Sequence, residues 1–369
     1  MLSEAIDAET LSLLQRFRFD APRFEELRAR LAADDLDNRI VGDVAPPSPE
    51  DVPTLPPRGS ESWAALAKRG LDALAAGHVG MVTLAGGMAT RFGGVVKAAV
   101  PAIGSDSFLA LKLRDVQRLS EKTGARVPSF LMTSFATHAE VDALAVAASR
   151  QATPVEAFRQ SISLRLAPDG QLFRTEDGAF SPYAPGHGDL PEALRASGVL
   201  ARFLESGGKH LFMSNVDNLG ATLEPALVGW HLEHGGAVTA EVVEKVPGDR
   251  GGAPARVDGA LQIVEAFRFP EAFDQDRIGV FNTNSFVLDA AALGATFPFD
   301  WFAVRKRVGG SDAVQFERLV GQLTAFLPSR FVTVPRGGVD GRFQPAKEPA
   351  ELERRRPAIR ALLEARGVL

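Results

Sequence analysis

The chain has 369 residues, 45% of them hydrophobic and 24% charged, with a net charge of −5 and no cysteine. That length and apolar content can bury a large core, in one big domain or two. The acidic balance without long basic runs argues against nucleic acid as a partner, and the missing cysteines exclude disulfides, thiolate metal sites and cysteine nucleophiles. The opening Met1-Leu2-Ser3-Glu4-Ala5 lacks a basic stretch followed by an apolar one, and no apolar run is long enough to span a bilayer. A cytoplasmic protein with no membrane contact is the expectation, and nothing points to an obligate protein partner.

Residues 9–34 carry two helical patterns; in the second, Asp20 can cap, Pro22 sits in the first turn, and Phe24, Leu27 and Leu31 share a face. Residues 45–58 hold six prolines and read as an extended linker. Residues 61–77 are alanine-rich and helical. Strands and helices then alternate: a strand at 79–85, a helix at 108–119, a strand at 127–133, helices at 137–149 and 189–206, a strand at 210–214 and a helix at 223–234. This order predicts an α/β domain with a mainly parallel sheet, whose ligands collect beyond the carboxyl ends of the strands.

After residue 236 the pattern changes. Residues 238–246 and 255–267 alternate as antiparallel strands, with Asp258-Gly259 as a hairpin turn, and 279–288 is a third strand. These three predict a sheet extension over one end of the cleft. A helix at 314–326, a strand at 330–334 and a basic helix at 350–366 complete the prediction.

Six segments carry candidate chemistry. The first runs from Val82 through Ala85-Gly86-Gly87 and Thr90-Arg91 to Gly93-Gly94 and Lys97. The double glycine lets the chain leave a strand with positive φ, and the loop's N–H groups, Arg91 and Lys97 suit a polyphosphate. It is not a P-loop, since Lys97 does not follow a glycine and Ala98 stands after it; nor is it Gly-x-Gly-x-x-Gly. The second is Asn215-Val216-Asp217-Asn218-Leu219, where a carboxylate between two amides can hold a hard cation or simply form a turn. The third is Gly186-His187-Gly188-Asp189, with His187 as an exposed contact and Asp189 as a helix N-cap. The fourth is Phe281-Asn282-Thr283-Asn284, whose two amides point to one side of a strand; sugar hydroxyls or a bulge would explain them. The fifth is Arg305-Lys306-Arg307 ahead of Gln315-Phe316-Glu317, and the sixth is Arg342-Phe343-Gln344-Pro345-Ala346-Lys347. Either basic run would also serve as a solvated face.

All six occur in an order that resembles the UTP:sugar-1-phosphate uridylyltransferases, nearest to the UTP–glucose-1-phosphate type (UDP-glucose pyrophosphorylase). That family shows Gly-His-Gly-Asp, Asn-x-Asp-Asn-Leu, Phe-Asn-Thr-Asn, a lysine ahead of Gln-Leu-Glu, and Arg-Phe-x-Pro-x-Lys. The resemblance covers about residues 80–350. It implies a Rossmann-like nucleotidyltransferase fold of the GT-A-like kind. This is a mixed, mainly parallel sheet flanked by helices, with an antiparallel extension over the sugar site. The expected units are a helical segment with linker at 1–77, a catalytic domain at 78–335, and a terminal loop and helix at 336–369.

The resemblance also implies roles. Ala85, Gly86, Gly87, Gln160 and Gly188 would meet the nucleotide, with Gln160 reading uracil. Asp217 would bind Mg²⁺ at the UTP α-phosphate. His187, Asn215, Glu265 and Asn284 would face the sugar. Arg91 and Lys97 would hold the leaving pyrophosphate, Lys306 the sugar phosphate, and Lys347 a further phosphate. The partners would be UTP and a sugar 1-phosphate, glucose 1-phosphate first. Ala89 stands where the family has glycine and Val96 where it has proline, and the gap from Gly93 to Lys97 is one residue shorter. The run Leu84-Ala85-Gly86-Gly87 with Thr90-Arg91 is closer to the UDP-N-acetylglucosamine pyrophosphorylases, so that sugar, or a broad range of UDP-sugars, is the alternative product. Ala89 and the short loop also motivate a non-catalytic nucleotide-sugar sensor.

Overall fold

Seven strands form the central sheet of the computed structural model, which describes residues 6–149, 154–249 and 251–369. Met1–Ala5, read above for a leader, lies outside these. The strands are β1 (Val79–Leu84), β2 (Ser129–Thr133), β3 (Val155–Arg159), β4 (His210–Asn215), β5 (Val238–Glu244), β6 (Val280–Asp289) and β7 (Ser329–Thr333). Their spatial order is β7-β5-β6-β4-β1-β2-β3. β6 runs antiparallel to both neighbours, and every other pairing in the sheet is parallel.

β1 is buried along its whole length because helices cover both faces of the sheet. Its alternation divides the core. Val79 and Met81 pack with Leu66, Leu74 and Leu227 on one side, and Val82 and Leu84 with Leu190, Leu194 and Phe203 on the other. Helices Glu61–Ala75 and Pro225–His234 meet so closely that a Cβ on Gly70 would lie 1.9 Å from the Pro225 carbonyl oxygen, and one on Gly229 1.9 Å from that of Leu66. Side-chain caps start the helices as their sequences suggest: Asp20 takes the Arg23 N–H, Ser60 that of Trp63 and Ser107 that of Ala110. The terminal helix Pro349–Ala365 lies against Pro101–Ile103 and joins the apolar cluster of helix Phe108–Thr123 through Ile359, Leu362 and Leu363. Among the described residues, no helix is long and apolar enough to cross a membrane.

Four sequence expectations change. Residues 314–326 are not one helix: Ser311–Glu317 is a strand paired with Phe302–Val308 through the turn Gly309-Gly310, and helix is confined to a 3-10 turn at Val320–Gln322 and the α-helical turn Leu323–Phe326. Buried Ala313 to Phe316 supply side chains to both faces of that hairpin, which a short apolar run does not distinguish from helix. The 189–206 helix breaks into Leu190–Ala196 and Val199–Glu205, because Gly198 turns left-handed with φ +74°. The proline-rich stretch is anchored rather than free. Val44–Ala45 pairs with Ala253–Val257, and the Leu55 N–H donates to the Thr333 carbonyl. Of the three antiparallel segments, two are β5 and β6 of the main sheet. Only the hairpin Ala253–Val257/Ala260–Val264 stands off it, with the expected Asp258-Gly259 turn at φ +50° and +83°.

Alanine normally stabilises a helix relative to glycine by about 0.5–1 kcal/mol. At Gly70 the sign should invert, since the new methyl has only backbone to displace. Gly70→Ala should destabilise by roughly 1–3 kcal/mol, read as a lower urea midpoint at unchanged m value. A midpoint equal to or above the wild type would show that the two helices can move apart.

Candidate active site

Beyond the carboxyl ends of β1, β2 and β4 lies a cleft of about 330 Å³, lined by Gly86, Gly87, Lys97, Gln160, His187, Asn215 and Asp217 among others. Ala85 is fully buried and only carries the chain to it. Neither Gly86 nor Gly87 is left-handed, so the expected reason for them is wrong. A side chain at Gly86 would lie 2.3 Å from Gln160 Nε2; the glycine makes room for that amide. The left-handed pair is Gly93-Gly94, at φ +86° and +80°. There the loop folds back, pairing Met88–Ala89 with Val95–Val96, and Lys97 returns to the cleft with its N–H on the Gly87 carbonyl at 3.2 Å. Arg91 sits exposed at the tip of this small hairpin and does not line the cleft.

Gln160 follows β3 directly and is buried, yet its Oε1 has no hydrogen-bond partner. His187 accepts the Val320 N–H on Nδ1 at 3.0 Å. That bond leaves the ring proton on Nε2. Burial holds its pKa down at about 4, against the pull of Glu317, so it is a neutral donor. It is half-buried, not the exposed contact expected. Gly188 is corrected too: it is buried away from the cleft, and a Cβ there would meet the Arg318 and Leu319 backbone at 2.4 Å. Asp189 caps no helix. Its carboxylate takes the Ser161 N–H at 2.5 Å and the Arg318 guanidinium, fixing the chain just after Gln160.

Asp217 faces the cleft and accepts from Lys97 Nζ at 2.8 Å. Asn218 does not: its amide donates to the Arg342 carbonyl at 3.1 Å and accepts the Gln344 N–H at 2.9 Å. The turn reading thus holds for Asn218, and Asp217 is left for chemistry. Beneath this loop lie buried charges, of which sequence reading singled out only Arg342, and that one with a solvated face as the alternative. Arg342 pairs with Glu241, the two being 2% and 0% exposed. Burial opposes the Arg342 charge, but Glu241 more than offsets it, and the guanidinium pKa is raised. Lys112 donates to Ser214 Oγ at 3.0 Å and the Ala221 carbonyl at 2.6 Å, and burial lowers it to about 7 despite Asp115. A signal existed: Lys112 lies one helical turn from Phe108 and from Val116, on an apolar stripe where a lysine is out of place.

At the far end, Asn284 donates to Asn215 Oδ1 at 3.0 Å. Asn284 is left-handed, with φ +57°, where the β5–β6 register shifts, and Asn282 Oδ1 takes its N–H. The bulge is therefore real, and it presents the Asn284 amide to Asn215. Burial pushes the Glu265 carboxyl up to about 7 against the pull of Arg268. Lys306 lies on the Phe302–Val308 strand, 42% exposed and 3.3 Å from Glu317. It does not line the cleft, but Glu317 links it electrostatically to His187 and Glu265. Lys347 is exposed at the start of the terminal helix, two residues beyond Pro345, which bridges to Asn218.

No group of three or more histidine, aspartate or glutamate side chains among the described residues could hold a metal alone. Asp217 is the one carboxylate among the described cleft-lining residues. Magnesium is commonly bound by one or two carboxylates together with substrate phosphates, so this donor set fits a metal that arrives with a nucleotide.

The family model described as UTP–glucose-1-phosphate uridylyltransferase matches residues 37–354. The chain is 28% identical over 295 residues to UTP–glucose-1-phosphate uridylyltransferase 2 of Dictyostelium discoideum, covering 75% of this chain and 58% of that protein. To the enzyme of that name from Hordeum vulgare it is 26% identical over 368 residues, covering 95% and 73%. Among solved structures, a Trypanosoma brucei protein described as UDP-glucose phosphorylase superposes with a TM-score of 0.74 at 22% identity, covering 94% of this chain and 78% of that one. The fold is therefore shared.

His187 and His231 are both held near pKa 4 by burial, against an ordinary 6.5. The unfolded chain then takes protons that the folded chain refuses. Stability is fully present above about pH 6.5 and is lost as pH falls towards 4, by up to ~1.4 kcal/mol per pH unit for each group. Urea midpoints should drop between about pH 7 and about pH 5, and drop less in His231→Gln. Equal drops in both proteins would mean that His231 takes its proton within the fold.

Proposed function

The chain belongs to the UTP–glucose-1-phosphate uridylyltransferase family, and we propose that it is itself a uridylyltransferase, joining UTP to a sugar 1-phosphate with release of pyrophosphate. Glucose 1-phosphate is the sugar we favour. The observation that carries this reading is the Gln160 carbonyl oxygen, buried in the cleft wall without a donor. Uracil brings an N–H at its N3 edge to satisfy it; cytosine brings a lone pair there instead. Leaving a buried group unpaired costs roughly 1–3 kcal/mol, enough for about ten- to hundredfold discrimination.

The chemistry asks mainly for placement and charge. An oxygen of the sugar 1-phosphate attacks the α-phosphorus, and the bond to the β-phosphate oxygen breaks in line. The nucleophile is already ionised, so no general base is needed. In this reading Lys97 holds the leaving pyrophosphate from within the cleft, while Arg91 and Lys306, outside its lining, would reach in to the pyrophosphate and to the attacking phosphate. Asn215, Asn284 and Glu265 face the hexose, and His187 offers it the Nε2 proton. Mg²⁺ would sit on Asp217 and the substrate phosphates, and would supply positive charge at the α-phosphate. Catalysis falls to residues 78–335, with 336–369 buttressing the Asp217 loop.

The direct test is pyrophosphate release from UTP, CTP, ATP and GTP against a panel of sugar 1-phosphates, with Mg²⁺ present. UTP with glucose 1-phosphate should be the best pair. A preference for N-acetylglucosamine 1-phosphate would change the sugar, CTP working as well as UTP would remove Gln160 from base choice, and no release from any pair would leave a sensor.

The two lysines separate the phosphate assignments. Lys306→Ala should raise the KM for the sugar phosphate far more than that for UTP, and lower kcat. Lys97→Ala should act on UTP and on pyrophosphate in the reverse direction. Unchanged kinetics in Lys306→Ala would make it a solvated partner of Glu317 and nothing more.

A further inference from the structure

Helix Phe108–Thr123 grips the loop that carries Asn215 and Asp217 at three points. The Lys112 ammonium donates to Ser214 Oγ, just before the loop, and to the Ala221 carbonyl, just after it. One turn along the helix, Asp115 accepts the Leu223 N–H at 2.7 Å. Both side chains are 1% exposed. A methionine would fill the Lys112 position without the cost of burying an ammonium, so packing alone does not account for a lysine. What methionine lacks is a donor, and the buried Ala221 carbonyl would lose its partner.

We propose that Lys112 is a positioning residue, whose head group fixes the 214–221 loop so that Asn215 and Asp217 are presented to the cleft. This rests on the reading that those two residues face substrate. Lys112 touches no substrate; it acts through the loop's two ends. The base contacts at Gly86 and Gln160 belong to other strands and do not depend on it.

Lys112→Met should therefore lower kcat by roughly ten- to hundredfold, with the KM for UTP at saturating Mg²⁺ rising far less. Calorimetry should show unchanged UTP affinity without metal and a smaller gain on adding Mg²⁺. Amide exchange should accelerate at residues 214–223 and not across the sheet. Rescue separates head group from bulk. Because the chain has no cysteine, Lys112→Cys offers one thiol. Alkylated with 2-bromoethylamine while unfolded and then refolded, it regains an ammonium at nearly the native length. Turnover should recover towards that of identically treated wild type. Wild-type turnover in Lys112→Met, a loss that the aminoethyl group does not restore, or a Lys112→Met chain that no longer folds would each overturn the proposal. The last would make Lys112 a core group rather than a loop group. A wild-type protein without uridylyl transfer would sink the functional reading alone, and exchange at 214–223 would then decide this one: unchanged exchange in Lys112→Met overturns it.

Discussion

The buried pair between Arg342 and Glu241 fixes the ground on which the cleft stands. Both groups are almost wholly removed from water, where an ion pair gains little over a well-packed apolar pair. Removing one partner alone would be costly, about 3–5 kcal/mol by analogy with other buried pairs. Its value here is in what it connects. Glu241 is on β5, Arg342 comes from the segment before the terminal helix, and Arg342 also donates to the Thr222 carbonyl at 3.0 Å. Arg366, at the end of that helix, donates to the Gly220 and Gly341 carbonyls and to Thr222 Oγ1. A loop with this many buried carbonyls needs donors, and two guanidinium groups supply them. The terminal segment thus helps to shape the strand-end turn that places Asp217 in the cleft wall.

Much of this was legible in the chain, and the reasons are local. A fully apolar strand running into Gly-Gly, or an Asp-Asn turn after a short buried strand, declares itself within about ten residues. The glycines show the limit of that reading. Sequence gives the need for a missing side chain but not its cause, and at Gly86 the cause is Gln160, from a different strand. Gly188 was expected to meet the nucleotide and makes room for Arg318 and Leu319 instead. The 302–317 hairpin was misread because Ala-Val-Gln-Phe suits either period. Lys112, Glu241 and Arg366 were missed because their partners lie 25 to 146 residues away. A buried charge is visible in sequence only as an oddity on an apolar stripe; what it holds is a property of the fold.

Lys97 and Asp217 neutralise each other across the cleft. On the proposed function this pair has to be re-partnered when substrate binds, Lys97 to phosphate and Asp217 to the metal. Each exchange favours the other, since a lysine drawn to phosphate frees the carboxylate and a metal on the carboxylate frees the lysine. Nucleotide and metal would then bind with positive coupling, and the coupling is reciprocal by necessity. The same pairing keeps either charge from standing desolvated and alone when the cleft holds no nucleotide.

The groups assigned to substrate in and beyond the cleft are built with different rigidity. Gly86, Gln160 and Asn215 follow or end strands of the seven-stranded sheet, and their backbones are tied into parallel ladders with cores on both faces. Asn284 sits at a bulge, Glu265 follows a three-stranded side sheet, and Lys306 lies near the exposed tip of a two-stranded hairpin. Groups on a large buried sheet have little freedom to shift, whereas short hairpins open locally at low cost. On the proposed function, the base would meet groups that are held fixed, and the hexose would meet groups carried on elements that can change length and position without disturbing the sheet. On that reading, choice of nucleotide would be set by the central sheet and choice of sugar by its appendages.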